Sequence, residues 1–100
     1  MSAISERFVE IINELEPEGD IDSKLEHILE NELIRRLSRY ELINKRLSEK
    51  YGMSFDEFKK NRIVEQRNYS FEVESDFWNW EVALDGIETI QRRFEILRKH

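Results

Sequence analysis

The feature that most limits the fold is a run from Leu25 to Tyr51 that contains neither glycine nor proline. These are the two residues that most often interrupt regular structure. Apolar side chains recur along the run at helical spacing and, at about 100° per residue, form one continuous face: Leu25, Leu29, Leu33, Leu37, Tyr40, Ile43, Leu47 and Tyr51. The sequence therefore predicts one long helix over 22–51, capped by Asp22 or Ser23.

The composition favours helices in the rest of the chain as well. With 39% hydrophobic residues the chain is too apolar for disorder, whereas 3 Gly and 1 Pro leave few breakers for a many-stranded fold. A length of 100 residues suits one domain. We predict a single, mostly α-helical domain over 1–100, in which the long helix pairs antiparallel with a C-terminal helix.

Shorter helices and one extended segment are predicted around this pair. Pro17 ends a short N-terminal helix, and Ser54 with Glu57 forms a capping-box pattern that starts another after Gly52. Alternation of apolar and polar residues predicts an extended segment, which would pair with Ile63 and Val64 or with its own symmetry copy. The remaining predicted elements are helices at 1–16, 54–61 and 76–98 and the extended segment at 69–74.

No residue pattern indicates catalysis or a bound cofactor. Cysteine is absent, which excludes disulfides and Cys-based zinc sites and suits a reducing cytoplasm. His27 and Glu30 share a helix face, but two ligands do not make a metal site. Among many carboxylates, Asp76, Glu81 and Asp85 near the tryptophans are those to examine for burial. We predict no enzyme activity, no metal and no cofactor, and the lack of a long apolar run predicts a cytoplasmic protein.

The charge is unevenly distributed along an acidic chain of net charge -6. On the long helix, four cations project within about 60° of one another and form a basic ridge, which we define as Arg35, Arg39, Arg46 and Lys50. The ridge is compatible with a solvated face, with an acidic protein partner or with nucleic acid. The acidic total and the lack of a recognisable DNA-binding motif disfavour nucleic acid, so a nucleic-acid-associated regulator is the alternative function.

Two apolar faces exceed what one thin core needs. Trp78, Val82 and Ile96 lie on the C-terminal helix away from its main apolar stripe. Ile34 and Leu42 lie on the long helix outside the continuous apolar face described above. Either neighbouring segments cover them within the monomer, or they bind a partner, since aromatic anchors dominate protein interfaces. We treat these five as candidate partner-binding residues, and they predict a homodimer.

Two blocks of sequence carry a resemblance to known proteins. They are Tyr51-Gly52-Met53-Ser54-Phe55-Asp56-Glu57-Phe58 and Tyr69-Ser70-Phe71-Glu72-Val73-Glu74-Ser75-Asp76, the latter followed by Trp78 and Trp80. From Leu33 to about Leu97 the chain resembles a family of short, uncharacterised prokaryotic proteins, similar to the antitoxin-like members of toxin-antitoxin gene pairs. The resemblance implies a protein-protein interaction module that neutralises a small toxin, and it carries over no site residue.

Overall fold

The computed structural model describes residues 4–99, and all regular structure in that range is helical. Five helices follow one another: α1 (Glu6–Leu15), α2 (Ile21–Tyr51), α3 (Phe55–Lys60), α4 (Ile63–Gln66) and α5 (Phe71–Leu97). The two long helices, α2 and α5, run antiparallel, as three contacts along their length show: Lys50 with Asp76, Asn44 with Trp80, and Glu30 with Arg98. The predicted mostly α class and long antiparallel pair are confirmed.

The ends of α2 and the start of α3 follow local capping rules. Asp20, two residues before Asp22 and three before Ser23, begins α2 by accepting a hydrogen bond from the backbone N–H of Ser23 at 2.8 Å. Gly52 ends α2 with a φ of 65°, the left-handed conformation that favours glycine. The capping box between Ser54 and Glu57 is present, so α3 starts immediately after α2 ends.

The predicted extended segment at 69–74 is wrong, because α5 already begins at Phe71. The side chain of Ser70 caps this helix by accepting from the backbone N–H of Val73 at 3.3 Å. Residues two apart lie on the same face of a strand but on nearly opposite sides of a helix. Phe71 and Val73 follow the helical arrangement, since Val73 is buried and Phe71 is 87% exposed. The helix predicted at 76–98 therefore starts earlier.

The expected strand partner, Ile63 and Val64, is also helical and belongs to α4. Within the described chain there are thus three short helices and no strand around the long pair. The N-terminal helix predicted at 1–16 is observed as α1, and residues 1–3 of that prediction lie outside the described residues.

The core lies at one end of the long pair, where α3 and α4 pack against it. Trp80 and Phe58 are fully buried there, with Phe55 and Leu47 beside them. Halfway along the pair, Gly86 allows close approach, because a Cβ atom at this position would lie 2.5 Å from Cε2 of Tyr40. The molecule measures 57 × 25 × 22 Å, and its radius of gyration is 19.4 Å. A compact chain of this length would have about 13 Å, so the pair is long and thin.

Candidate protein-binding surfaces

The first surface is the side of α5 that points away from α2. It carries Phe71, Trp78, Val82 and Ile96, which lie within about 40° of one another around the helix, and we call it the α5 outer face. Trp78 lies about 160° around the helix from the buried Trp80 and is 63% exposed, as is Ile96. The interpretation that neighbouring segments bury this face within the monomer is therefore wrong for Trp78 and Ile96.

An open groove extends this surface at its N-terminal end. It has a volume of about 580 Å³ and is lined by Val64, Glu65, Tyr69, Glu74, Phe77 and Trp78. Tyr69 forms one side with a φ of 55°, a left-handed conformation uncommon for a bulky residue, and its backbone N–H donates to the carbonyl oxygen of Val64 at 2.9 Å. The loop before α5 therefore holds an exposed tyrosine beside Trp78.

A row of carboxylates follows one edge of the α5 outer face. Four exposed glutamates occur every seventh residue, and we call them the glutamate line: Glu74, Glu81, Glu88 and Glu95. Within residues 4–99 none of them forms an ion pair. The glutamate line is not among the residues predicted from the sequence, although its seven-residue spacing is visible there and is typical of charges that flank a helix-helix interface.

The second surface lies on α2, on the side away from α5. Ile34 is 47% exposed and Leu42 is 45% exposed, so neither α1 nor α5 covers them. Leu42 lies about 140° around the helix from the buried Leu47. These two residues with the basic ridge form what we call the α2 outer face, and it points roughly opposite to the α5 outer face.

The structure divides the basic ridge into paired and unpaired cations. Arg35 contacts Glu32 at 2.6 Å, and hydrogen bonds from Arg35 and then from Arg36 lower the pKa of Glu32 to about 2. Lys50 lies 2.6 Å from both Asp76 and Glu72, and hydrogen bonding to Asp76 and then Glu72 raises its pKa. In the part of the chain that the structure describes, the exposed Arg39 and Arg46 have no ion-pair partner.

The half-buried Asp76 connects the two long helices. Its Oδ2 atom accepts a hydrogen bond from the hydroxyl group of Tyr51 at 2.5 Å and another from Nζ of Lys50 at 2.6 Å. Burial, together with the hydrogen bond to Asp76, raises the pKa of Tyr51 to about 12. Glu81 and Asp85, the other two carboxylates near the tryptophans, are exposed. Asp76 therefore serves the packing of α2 on α5.

The histidine that the sequence placed beside Glu30 has another partner. Nδ1 of His27 lies 2.5 Å from a carboxylate oxygen of Glu16, in the segment between α1 and α2. Over residues 4–99 no group of three or more His, Asp or Glu side chains is arranged to hold a metal ion. His100 lies outside the described residues. His27 thus contacts the segment that follows α1.

The division of the ridge leads to a prediction about nucleic acid. Two of its four cations are already occupied by carboxylates, and the protein carries a net charge of -6. A gel-shift titration with a short DNA duplex at about 0.1 M salt is therefore expected to show no binding up to tens of micromolar protein. Micromolar affinity with steep salt dependence, abolished by Arg35→Glu with Arg39→Glu, would contradict this expectation.

Comparison of the chain with protein-family models, with curated proteins and with solved structures finds no match. None of the helices in the described residues combines the length and the apolar character that crossing a membrane requires. The surfaces described above are therefore the basis for a functional proposal.

Proposed function

We propose that this protein is a protein-protein interaction module that binds through the α5 outer face and self-associates as a dimer. The observation that carries the proposal is the exposure of Trp78 at 63%, in line with Phe71, Val82 and Ile96. Single exposed apolar residues are ordinary, but aligned ones that include a tryptophan are typical of binding sites. Burial of this face on another protein removes apolar surface from water, which favours association.

The resemblance to antitoxin-like proteins suggests a second role for the same face. A small toxin is the kind of partner that we propose, in the cytoplasm of a prokaryote, with the module acting as its neutralising partner. The extended shape, 57 Å long, supports this proposal because it offers a long surface for its mass of 12.2 kDa.

Self-association gives a direct test. Sedimentation equilibrium of the wild-type protein at about 100 micromolar is expected to give a mass of about twice 12.2 kDa. Trp78→Ala should weaken association by at least roughly thirtyfold, since loss of a buried interface tryptophan commonly costs about 2 kcal/mol or more. Because Trp78 is largely exposed in the monomer, circular dichroism should show the same helical content in the variant.

The matched control is Phe8→Ala, which removes a half-exposed aromatic side chain from α1, away from the α5 outer face. It should leave the association constant unchanged. A wild-type protein that stays monomeric at this concentration rules out the dimer, and equal weakening by both substitutions rules out the α5 outer face as the contact.

A further inference from the structure

The glutamate line restricts what can cover the α5 outer face. If two copies met through this face in antiparallel orientation, their glutamate lines would lie side by side in every register. Asp85 and Arg92 follow Trp78 by seven and fourteen residues and so lie on nearly the same side of α5. If the two copies met in parallel orientation about a two-fold axis, Asp85 of one copy would face Asp85 of the other, and Arg92 would face Arg92. Like charges brought together in this way oppose association. A symmetric contact of α5 with α5 is therefore disfavoured.

The complementary charges lie on the other side of the same chain. Arg39 and Arg46 are seven residues apart on α2, about 10.5 Å along the helix, which is also the spacing of successive members of the glutamate line. Both arginines are exposed, and neither has an ion-pair partner within residues 4–99. Leu42, 45% exposed, lies between them in sequence.

We propose that the α5 outer face of one copy binds the α2 outer face of a second copy, in a head-to-tail contact. This inference rests on the proposed function and specifies its partner. With α5 parallel to α2 of the second copy and Val82 opposite Leu42, Trp78 lies beside the small Ser38. The flanking charges then pair as in a coiled coil, with Glu74 near Arg39, Glu81 near Arg46 and Asp85 near Lys45.

The contact uses different surfaces on the two copies, so each complex keeps one free α5 outer face and one free α2 outer face. Head-to-tail interfaces of this kind extend into rings or filaments rather than stop at two copies. The dimer of the proposed function is then the first step, and association should continue beyond it at protein concentrations higher than the one at which the dimer forms. Association should also weaken with added salt, because the flanking pairs are exposed.

Charge exchange between the two surfaces tests the proposal. One variant combines Glu74→Lys with Glu81→Lys, and the other combines Arg39→Glu with Arg46→Glu. Each variant alone should associate at least tenfold more weakly than the wild type, because like charges then meet in the contact. An equimolar mixture should associate again, because the unchanged α2 outer face of the first variant fits the unchanged α5 outer face of the second.

The controls change net charge equally at other exposed positions: Glu10→Lys with Glu14→Lys on α1, and Lys59→Glu with Lys60→Glu on α3. Both should associate like the wild type in sedimentation velocity at about 0.15 M salt. If the arginine variant alone associates like the wild type, the head-to-tail contact is wrong while the proposed function stands. If the wild type itself stays monomeric, the proposed dimer and this inference are both wrong.

Discussion

Trp80→Ala is expected to lower the free energy of unfolding by about 3 to 5 kcal/mol, the usual cost of removing a large buried aromatic side chain. Trp80 has no exposed surface, and its ring lies 5.2 Å from Phe55 and 5.3 Å from Phe58, measured between ring centroids. Its indole N–H donates to the side-chain oxygen of Asn44 at 2.7 Å. The substitution therefore leaves a cavity and also removes the hydrogen-bond partner of a half-buried polar group.

Urea unfolding followed by circular dichroism measures this effect, and Trp78→Ala is the matched control. The same residue type two positions away is largely exposed, so its loss should change the free energy of unfolding of the monomer by less than about 0.5 kcal/mol. Both variants are compared at a protein concentration low enough to keep the wild type monomeric. Equal losses for the two tryptophans would contradict the assignment of one to the core and the other to the surface.

Gly86→Leu is expected to destabilise the fold by about 3 kcal/mol, at the upper end of the usual cost of overpacking. Leucine forms helices better than glycine, by nearly 1 kcal/mol, so helix propensity alone predicts the opposite sign. Steric conflict outweighs this gain because the Cβ atom would already lie within 2.7 Å of three ring carbons of Tyr40. The side chain beyond it would separate α2 from α5.

A double-mutant cycle with Tyr40→Ala isolates the cause. In that background the ring is absent and leucine occupies the vacated space, so the additional cost of Gly86→Leu should fall below about 1 kcal/mol. Urea unfolding of the four proteins provides the measurement. An undiminished cost in the Tyr40→Ala background would show that Gly86 is required for a reason other than this contact.

The sequence predicted the long helices well because their information is local and periodic. The absence of glycine and proline over the long helix, Gly52 at its end and the Ser54–Glu57 capping box all act within a few residues. The same periodicity placed Trp78 away from the main apolar stripe of the C-terminal helix. Exposure of the α5 outer face was left open by the sequence, because coverage depends on where distant segments pack.

The errors come from interactions that the local sequence does not contain. Residues 69–74 alternate like a strand, yet Ser70 can cap a helix and Val73 packs into the core that α3 provides. That packing decides between two locally acceptable structures. Likewise, the residues around Gly86 do not show why glycine is needed there, because the close contact comes from Tyr40, far away in sequence. The pairing of Lys50 within the basic ridge depends on Asp76 and Glu72, which only the antiparallel arrangement of α2 and α5 brings to it.

The position of the core at one end of the molecule has a consequence for the way the chain opens. Phe58 of α3, Ile63 of α4 and Trp80 of α5 belong to one buried cluster, so we expect these helices to separate only when the whole fold is lost. At the other end, α1 has a single buried apolar residue, Ile12, whereas Phe8, Ile11 and Leu15 stay exposed. We therefore expect local unfolding to begin at α1, which has little buried surface to lose and can detach while the long pair stays intact. We expect amide protons in α1 to exchange with solvent through this partial opening, and those around Trp80 to exchange only through complete unfolding.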